Sequence, residues 1–179
     1  MTTLTKIICT LIAVVLVQGC ASSQSLDMAP TPYTAEQIRQ ANPPGTTLVY
    51  RIDEPPAPPV FNVMHFASDD ADHAVVENQT LTEERTPAGD LVISESSWTE
   101  LRDHAAFPSS KTSRTEAQCE VPAGSFNCML YTVQSEEDGV PITSRFYFAE
   151  TRPGPPVCYE REREGQVIFR MVLLEDSRR

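Results

Sequence analysis

The side chains best suited to chemistry in this chain are three cysteines, Cys119, Cys128 and Cys158, and three histidines, His65, His73 and His104. A thiolate is a nucleophile and a soft metal ligand, and imidazole is the acid–base group of neutral pH. Spacing decides among these roles. No Cys-x-x-Cys, His-x-His or His-Glu-x-x-His occurs, so no zinc or redox motif is written locally and no metal is expected. Cys158 lies in Val157-Cys158-Tyr159, on the strand face of Glu160 and Glu162. Acidic neighbours raise a thiol pKa, so Cys158 reads as a small core residue rather than a nucleophile. Cys119 and Cys128 flank Pro122-Ala123-Gly124-Ser125. As a four-residue hairpin loop, that segment pairs Val121 with Phe126 and sets Cys119 opposite Cys128. Directly opposed residues of a non-hydrogen-bonded pair have Cα atoms about 4.5 Å apart, within disulfide range, so a Cys119–Cys128 bridge is expected. A bridge from either one to Cys158, or buried thiols, are the alternatives.

Other candidate chemistry is thin. Ser68-Asp69-Asp70-Ala71-Asp72 offers oxygen ligands but lacks the spaced Asp/Gly pattern and closing Glu of a calcium loop, so it reads as a solvated acidic turn. Pro55-Pro56-Ala57-Pro58 reads as a stiff connector. No phosphate-cradling Gly-rich loop and no Gly-x-Ser-x-Gly elbow is present. No catalytic residue and no cofactor are assigned.

The amino terminus is more explicit. Lys6 precedes an apolar run, Ile7–Val17, that ends in Val17-Gln18-Gly19-Cys20. The run is too short for a membrane-spanning helix, which needs about 20 residues, and fits a secretory core of about 7–15. The four closing residues resemble the lipobox of bacterial prolipoproteins. That resemblance implies removal of residues 1–19, a diacylglycerol on the Cys20 thiol and acylation, typically palmitate, of the new amino terminus. It also implies a periplasm-facing membrane anchor. Ala21, where Asp marks inner-membrane retention, points to the outer membrane. In an oxidising compartment disulfides persist.

Residues 1–19 carry one Lys and no acid, so the remainder has 13 cations against 25 acids, a net charge of −12. Such a chain lacks the basic stripe of a nucleic-acid binder and does not lie flat on anionic headgroups. Residues 21–32 (ASSQSLDMAPTP) are small and polar and read as a tether, with the folded domain expected over 34–179.

Two capping boxes place helices: Thr34–Gln37 before Ala35–Ala41, and Ser97–Glu100 opening a helix over 97–107 that carries Trp98, Leu101 and Ala105 on one face. Elsewhere the period is two. Strands are expected at Thr46–Ile52, Val60–Ala67, His73–Thr82 and Leu91–Ser94, then at Thr112–Val121, Phe126–Val133, Ile142–Ala149, Val157–Glu164 and Val167–Leu174. Short connections make neighbours antiparallel. The expected fold is α+β, a curved, mainly antiparallel sheet of about nine strands packed on the 97–107 helix, with an all-β barrel as the alternative.

Ala123-Gly-Ser-Phe126, Cys128, Tyr131, Phe146-Tyr-Phe148 and Pro153-Gly-Pro-Pro-Val157 resemble the C-terminal meander of periplasmic proteins of the type of the lipoprotein carriers LolA and LolB. The resemblance covers about residues 90–175. It implies a curved sheet around a helix, with an apolar inner face to which Trp98, Phe146, Phe148 and Phe169 are expected to contribute. The leading functional expectation is a lipid-anchored, non-catalytic binding or assembly module whose partner is an acyl chain or another envelope protein. A hydrolase-type enzyme assembled from dispersed residues and a purely structural envelope component are the alternatives.

Overall fold

The computed structural model describes residues 27–178. The expected export signal 1–19, the expected lipid site Cys20 and the tether residues up to 26 lie outside the described residues.

Helix α1 (Ala35–Ala41) starts where both halves of its capping box are made: Thr34 Oγ1 accepts from Gln37 N, and Gln37 Oε1 accepts from Thr34 N. Its one buried residue is Ile38, and Pro43-Pro44 prevents continuation. Four strands follow: β1 (Thr47–Asp53), β2 (Val60–Asp69), β3 (His73–Leu81) and β4 (Val92–Ser97). Helix α2 (Trp98–Asp103) and a 3-10 turn at Ser109–Lys111 lead to β5 (Thr112–Val121), β6 (Gly124–Glu137), β7 (Val140–Ala149), β8 (Cys158–Arg163) and β9 (Gln166–Asp176).

All nine strands form one antiparallel sheet, ordered β4-β3-β2-β1-β9-β8-β7-β6-β5. The sheet is curved and not closed: β4 and β5 are free edges, so the α+β arrangement holds and the barrel does not. Its sequence order is that of two meanders joined along one seam, where β1 pairs with β9 from Leu48↔Asp176 to Asp53↔Arg170. Two of its hairpins turn on a pair of residues with positive φ, Asp138-Gly139 (52°, 77°) and Glu164-Gly165 (51°, 78°). This mirror-image turn geometry matches the right-handed twist of the flanking strands.

Alternation sorts the core. The register puts Leu48, Tyr50, Met64, Phe66 and Val76 on one face of the first meander. Tyr131, Phe146, Phe148 and Leu173 continue that face across the second. Helices α1 and α2 cover it through Ile38 and Trp98. Adjacent Val172 and Leu173 are both buried, so β9 is covered on both sides.

Three expectations are corrected. The tether ends earlier than Thr34. Ala29 N–H donates to Phe107 O (2.8 Å), Ser109 N–H to Asp27 O (2.8 Å) and Tyr131 Oη–H to Pro30 O (2.6 Å), so residues 27–33 are docked, with Ala29 and Tyr33 buried. Helix α2 stops at Asp103 rather than 107. The N–H groups of Ala105 and Ala106 tighten onto Arg102 O and Asp103 O, three residues back, ahead of Pro108. The β5–β6 loop has two residues, not four: Val121 pairs with Gly124. Cys119 therefore faces Phe126, and Cys128 faces Ala117. The register that set Cys119 opposite Cys128 does not occur, and all three cysteines are buried free thiols.

Candidate functional site

Between α2 and the sheet lies a cavity of about 350 Å³. Its floor comes from alternate residues of four strands: Met64 and Phe66, Phe146 and Phe148, Tyr159, and Met171. Leu101, Ala105 and Phe107, on α2 and the segment after it, close it from above, and Pro155-Pro156 form one wall. The lining is predominantly apolar. The polar contributions are few: Asn78 of β3, Ser94 and Ser96 on the adjacent strand β4, and His104 at the end of α2. The volume falls within the range of small-molecule sites, about 300–1,000 Å³.

The aromatic side chains are fixed by one another. Phe146 stacks on Tyr159 (centroids 4.3 Å, 7° between planes) and on Phe107 (4.8 Å, 27°). Tyr131 meets Phe148 edge-on at 5.3 Å. Offset and edge contacts of this kind contribute about 0.5–1.5 kcal/mol beyond area burial, so the walls are preorganised. Of the four residues expected at an apolar inner face, Phe146 and Phe148 line the cavity. Trp98 lies behind it, stacked on Phe66 at 6.4 Å, and Phe169 is reached only through Tyr159. Of the residues that sequence reasoning missed, Met64, Phe66 and Met171 carried one usable signal, since each recurs at i, i+2 with another apolar residue on its strand, whereas Tyr159, followed at i+2 by Arg161, carried none.

The Pro153–Pro156 wall is held by a polar cluster. Asn42, fully buried, donates from Nδ2 to Ile38 O (2.7 Å) and Pro153 O (3.0 Å). Arg178 donates to Asn42 Oδ1 (3.2 Å) and Pro153 O (3.0 Å), and its guanidinium also grips the Asp176 carboxylate at 2.8–3.0 Å. Arg152 Nε approaches the same carboxylate at 3.5 Å. Burial pushes the Asp176 pKa up, but the Arg178 side-chain and backbone donors more than offset it, leaving the group below the ordinary Asp value. Gly154 belongs here by necessity: its φ is 137°, and a Cβ on it meets Asn42 Nδ2 at 3.2 Å.

The thiols gather elsewhere. The register puts Cys128 and Cys158 on the sheet face opposite Phe146 and Phe148. Cys128 Sγ–H donates to Phe126 O at 3.7 Å. Burial raises the Cys128 thiol to about 11. Cys158 is raised by its hydrogen bond to Cys119 and then by burial, whereas Cys119 is lowered by the hydrogen bond from Cys158. Among the described residues no group of His, Cys, Asp and Glu is arranged to hold a metal ion, and no helix is long and apolar enough to cross a membrane.

No family model and no curated protein matches the chain. One solved structure is similar, a protein from Parabacteroides distasonis provisionally described as a lipoprotein. The match has a TM-score of 0.50 at 8% sequence identity and covers 76% of this chain and 98% of that one. At that identity the likeness shows a shared fold alone, this curved antiparallel sheet.

Proposed function

We propose that this domain is a non-catalytic binding module of the bacterial envelope that holds one apolar chain of the acyl type beneath α2. It is anchored through lipids on Cys20 and faces the periplasm from the outer membrane. The observation that carries the reading is the cavity itself: preorganised aromatic and methionine walls with a few polar groups, Asn78, Ser94 and Ser96 on adjacent strands among them, which suits a ligand with a hydrocarbon tail and a polar head. At about 30 Å³ for a water-sized group, a cavity of about 350 Å³ takes on the order of ten heavy atoms, a short chain or part of a longer one. The export signal and the fold of the Parabacteroides distasonis protein support the location.

The test is titration of the purified full chain with cis-parinaric acid, followed by fluorescence. Wild type is expected to bind in the micromolar range, about −8 kcal/mol. Ala105→Phe puts a ring into the cavity and is expected to weaken binding at least tenfold, about 1.4 kcal/mol. Equal binding by the two proteins removes the cavity from consideration.

A second reading, docking of another envelope protein, is favoured at one place. Edge strand β4 and the residue before it expose Leu91 (49%), Val92 (60%) and Ile93 (61%). An unpaired edge with apolar residues is a template for strand addition. Ile93→Lys is expected to abolish crosslinking of β4 to an envelope partner without shifting the melting temperature. Crosslinks that persist in the variant argue against the edge.

A further inference from the structure

A second cleft, of about 510 Å³, opens at the end of α1 and shares no lining residue with the apolar cavity. Three segments wall it: the connection from α1 to β1, the turn after β7 and the residues after β9. Each is tied down by its backbone. Gly45 N–H donates to Phe66 O (2.8 Å), Arg152 N–H to Ala149 O (3.0 Å) and Ser177 N–H to Thr47 O (3.0 Å).

The charge of this cleft runs against that of the chain. Arg152 and Arg178 line it and no Asp or Glu does, although the whole sequence carries 25 acids against 14 Lys and Arg. Asp176 pairs with both guanidiniums but satisfies only one. Its Oδ1 accepts from the Arg178 backbone N–H (2.9 Å) and Nε (2.8 Å), and its Oδ2 from Nε (3.0 Å) and Nη2 (2.8 Å). Arg152 Nε comes no closer to that carboxylate than 3.5 Å, and it is buried without a hydrogen bond. A buried donor with no acceptor is costly, the more so on a charged group. The Arg152 side chain as a whole is 31% exposed, so a ligand can reach it from the cleft.

We propose that this cleft binds the phosphate group of a small anionic ligand, which Arg152 takes as its missing counter-ion. A guanidinium forks onto two oxygens of an oxyanion. A carboxylate has only two to give. A phosphate keeps further oxygens for the hydroxyl residues of the lining, Thr46, Thr151 and Ser177. Ser177 Oγ already accepts from Thr47 N–H at 2.7 Å, which leaves its own proton to donate. The cleft is larger than a lone phosphate and has room for the group that carries it. That group is a free metabolite or the head of a phospholipid; the chemistry at Arg152 is the same.

The test is calorimetric titration of the purified full chain with sodium phosphate at neutral pH and constant ionic strength, repeated with sodium acetate. Wild type is expected to bind phosphate saturably in the millimolar range and acetate more weakly. Arg152→Gln is expected to bind phosphate at least tenfold more weakly with an unchanged melting temperature, and Arg152→Lys to fall between the two. Glycerol 3-phosphate and glycerophosphoglycerol separate the sources. Binding of the monoester alone upholds the site as one for a free phosphate compound, and equal binding of the diester upholds it as one for a lipid head. No saturable binding by wild type, equal phosphate affinity in Arg152→Gln, or acetate bound as tightly as phosphate overturns the proposal. The first of these does not depend on any variant, and none of them bears on the apolar cavity.

Discussion

Asp176→Ala is expected to lower the unfolding free energy by about 3 kcal/mol at pH 7, the lower end for one partner removed from a buried ion pair. The carboxylate accepts from the Arg178 backbone N–H at 2.9 Å and from its guanidinium, and both side chains are over nine-tenths buried. Removing it leaves the Arg178 guanidinium buried without a counter-charge, beside a second cation at Arg152. Loss at the lower end is expected because the final residues can peel into water. The pH dependence has a definite sign. A carboxyl whose folded pKa lies below its unfolded value of about 3.9 contributes stability that is complete above that value. The contribution disappears as pH falls through the lower folded value. Urea unfolding at pH 7 and at pH 3 should therefore show wild type and variant far apart at the first pH and converging at the second. A gap of equal size at both pH values means that packing, not charge, is what Asp176 supplies.

Trp98→Ala is expected to cost about 3–5 kcal/mol, the range for deleting a large buried aromatic. Trp98 is 4% exposed, stacks on Phe66 within 6° of parallel, and donates from Nε1 to Asp70 O at 3.2 Å. It is the buried side chain by which α2 is fixed to β2. The loss therefore extends to the cavity roof, and cis-parinaric acid binding should fall as well. Trp98→Phe retains the ring contact and loses only the hydrogen bond, so it should recover most of both. Denaturant unfolding followed by circular dichroism, with binding measured below the transition, separates the effects. Full binding by a destabilised Trp98→Ala detaches the roof from the site.

Much of this architecture is legible in the sequence where a local signal acts alone. Thr34 and Ser97 announce both helices because a capping box is satisfied within four residues. β5 is bounded as its alternation predicts, Thr112–Val121. The failures have physical causes. Gln134–Glu137 are polar and read as a connection, yet they belong to β6, because Asp138-Gly139 make a two-residue turn and the ribbon needs no core beneath it. Pro122-Ala-Gly-Ser125 read as a four-residue loop because every residue in it favours turns. Gly124 instead enters the strand at φ 140°, and the resulting shift separates Cys119 from Cys128. The cavity was half visible. Alternation identifies Phe146 and Phe148, but Met64, Tyr159 and Met171 converge with them only through strand order, which no local pattern encodes.

The seam between β1 and β9 has a kinetic meaning. Within each meander, neighbouring strands are neighbours in sequence and can zip from their turns. β1 must find a partner more than a hundred residues downstream, a closure whose entropy is lost before any contact rewards it. The cavity straddles that join: Met64, Phe66 and Val76 come from one meander, and Phe146, Tyr159 and Met171 from the other. Neither half owns a binding site. An occupant therefore works as a clasp, favouring the joined state by mass action in proportion to its saturation, and a filled cavity reports that the two halves have found each other.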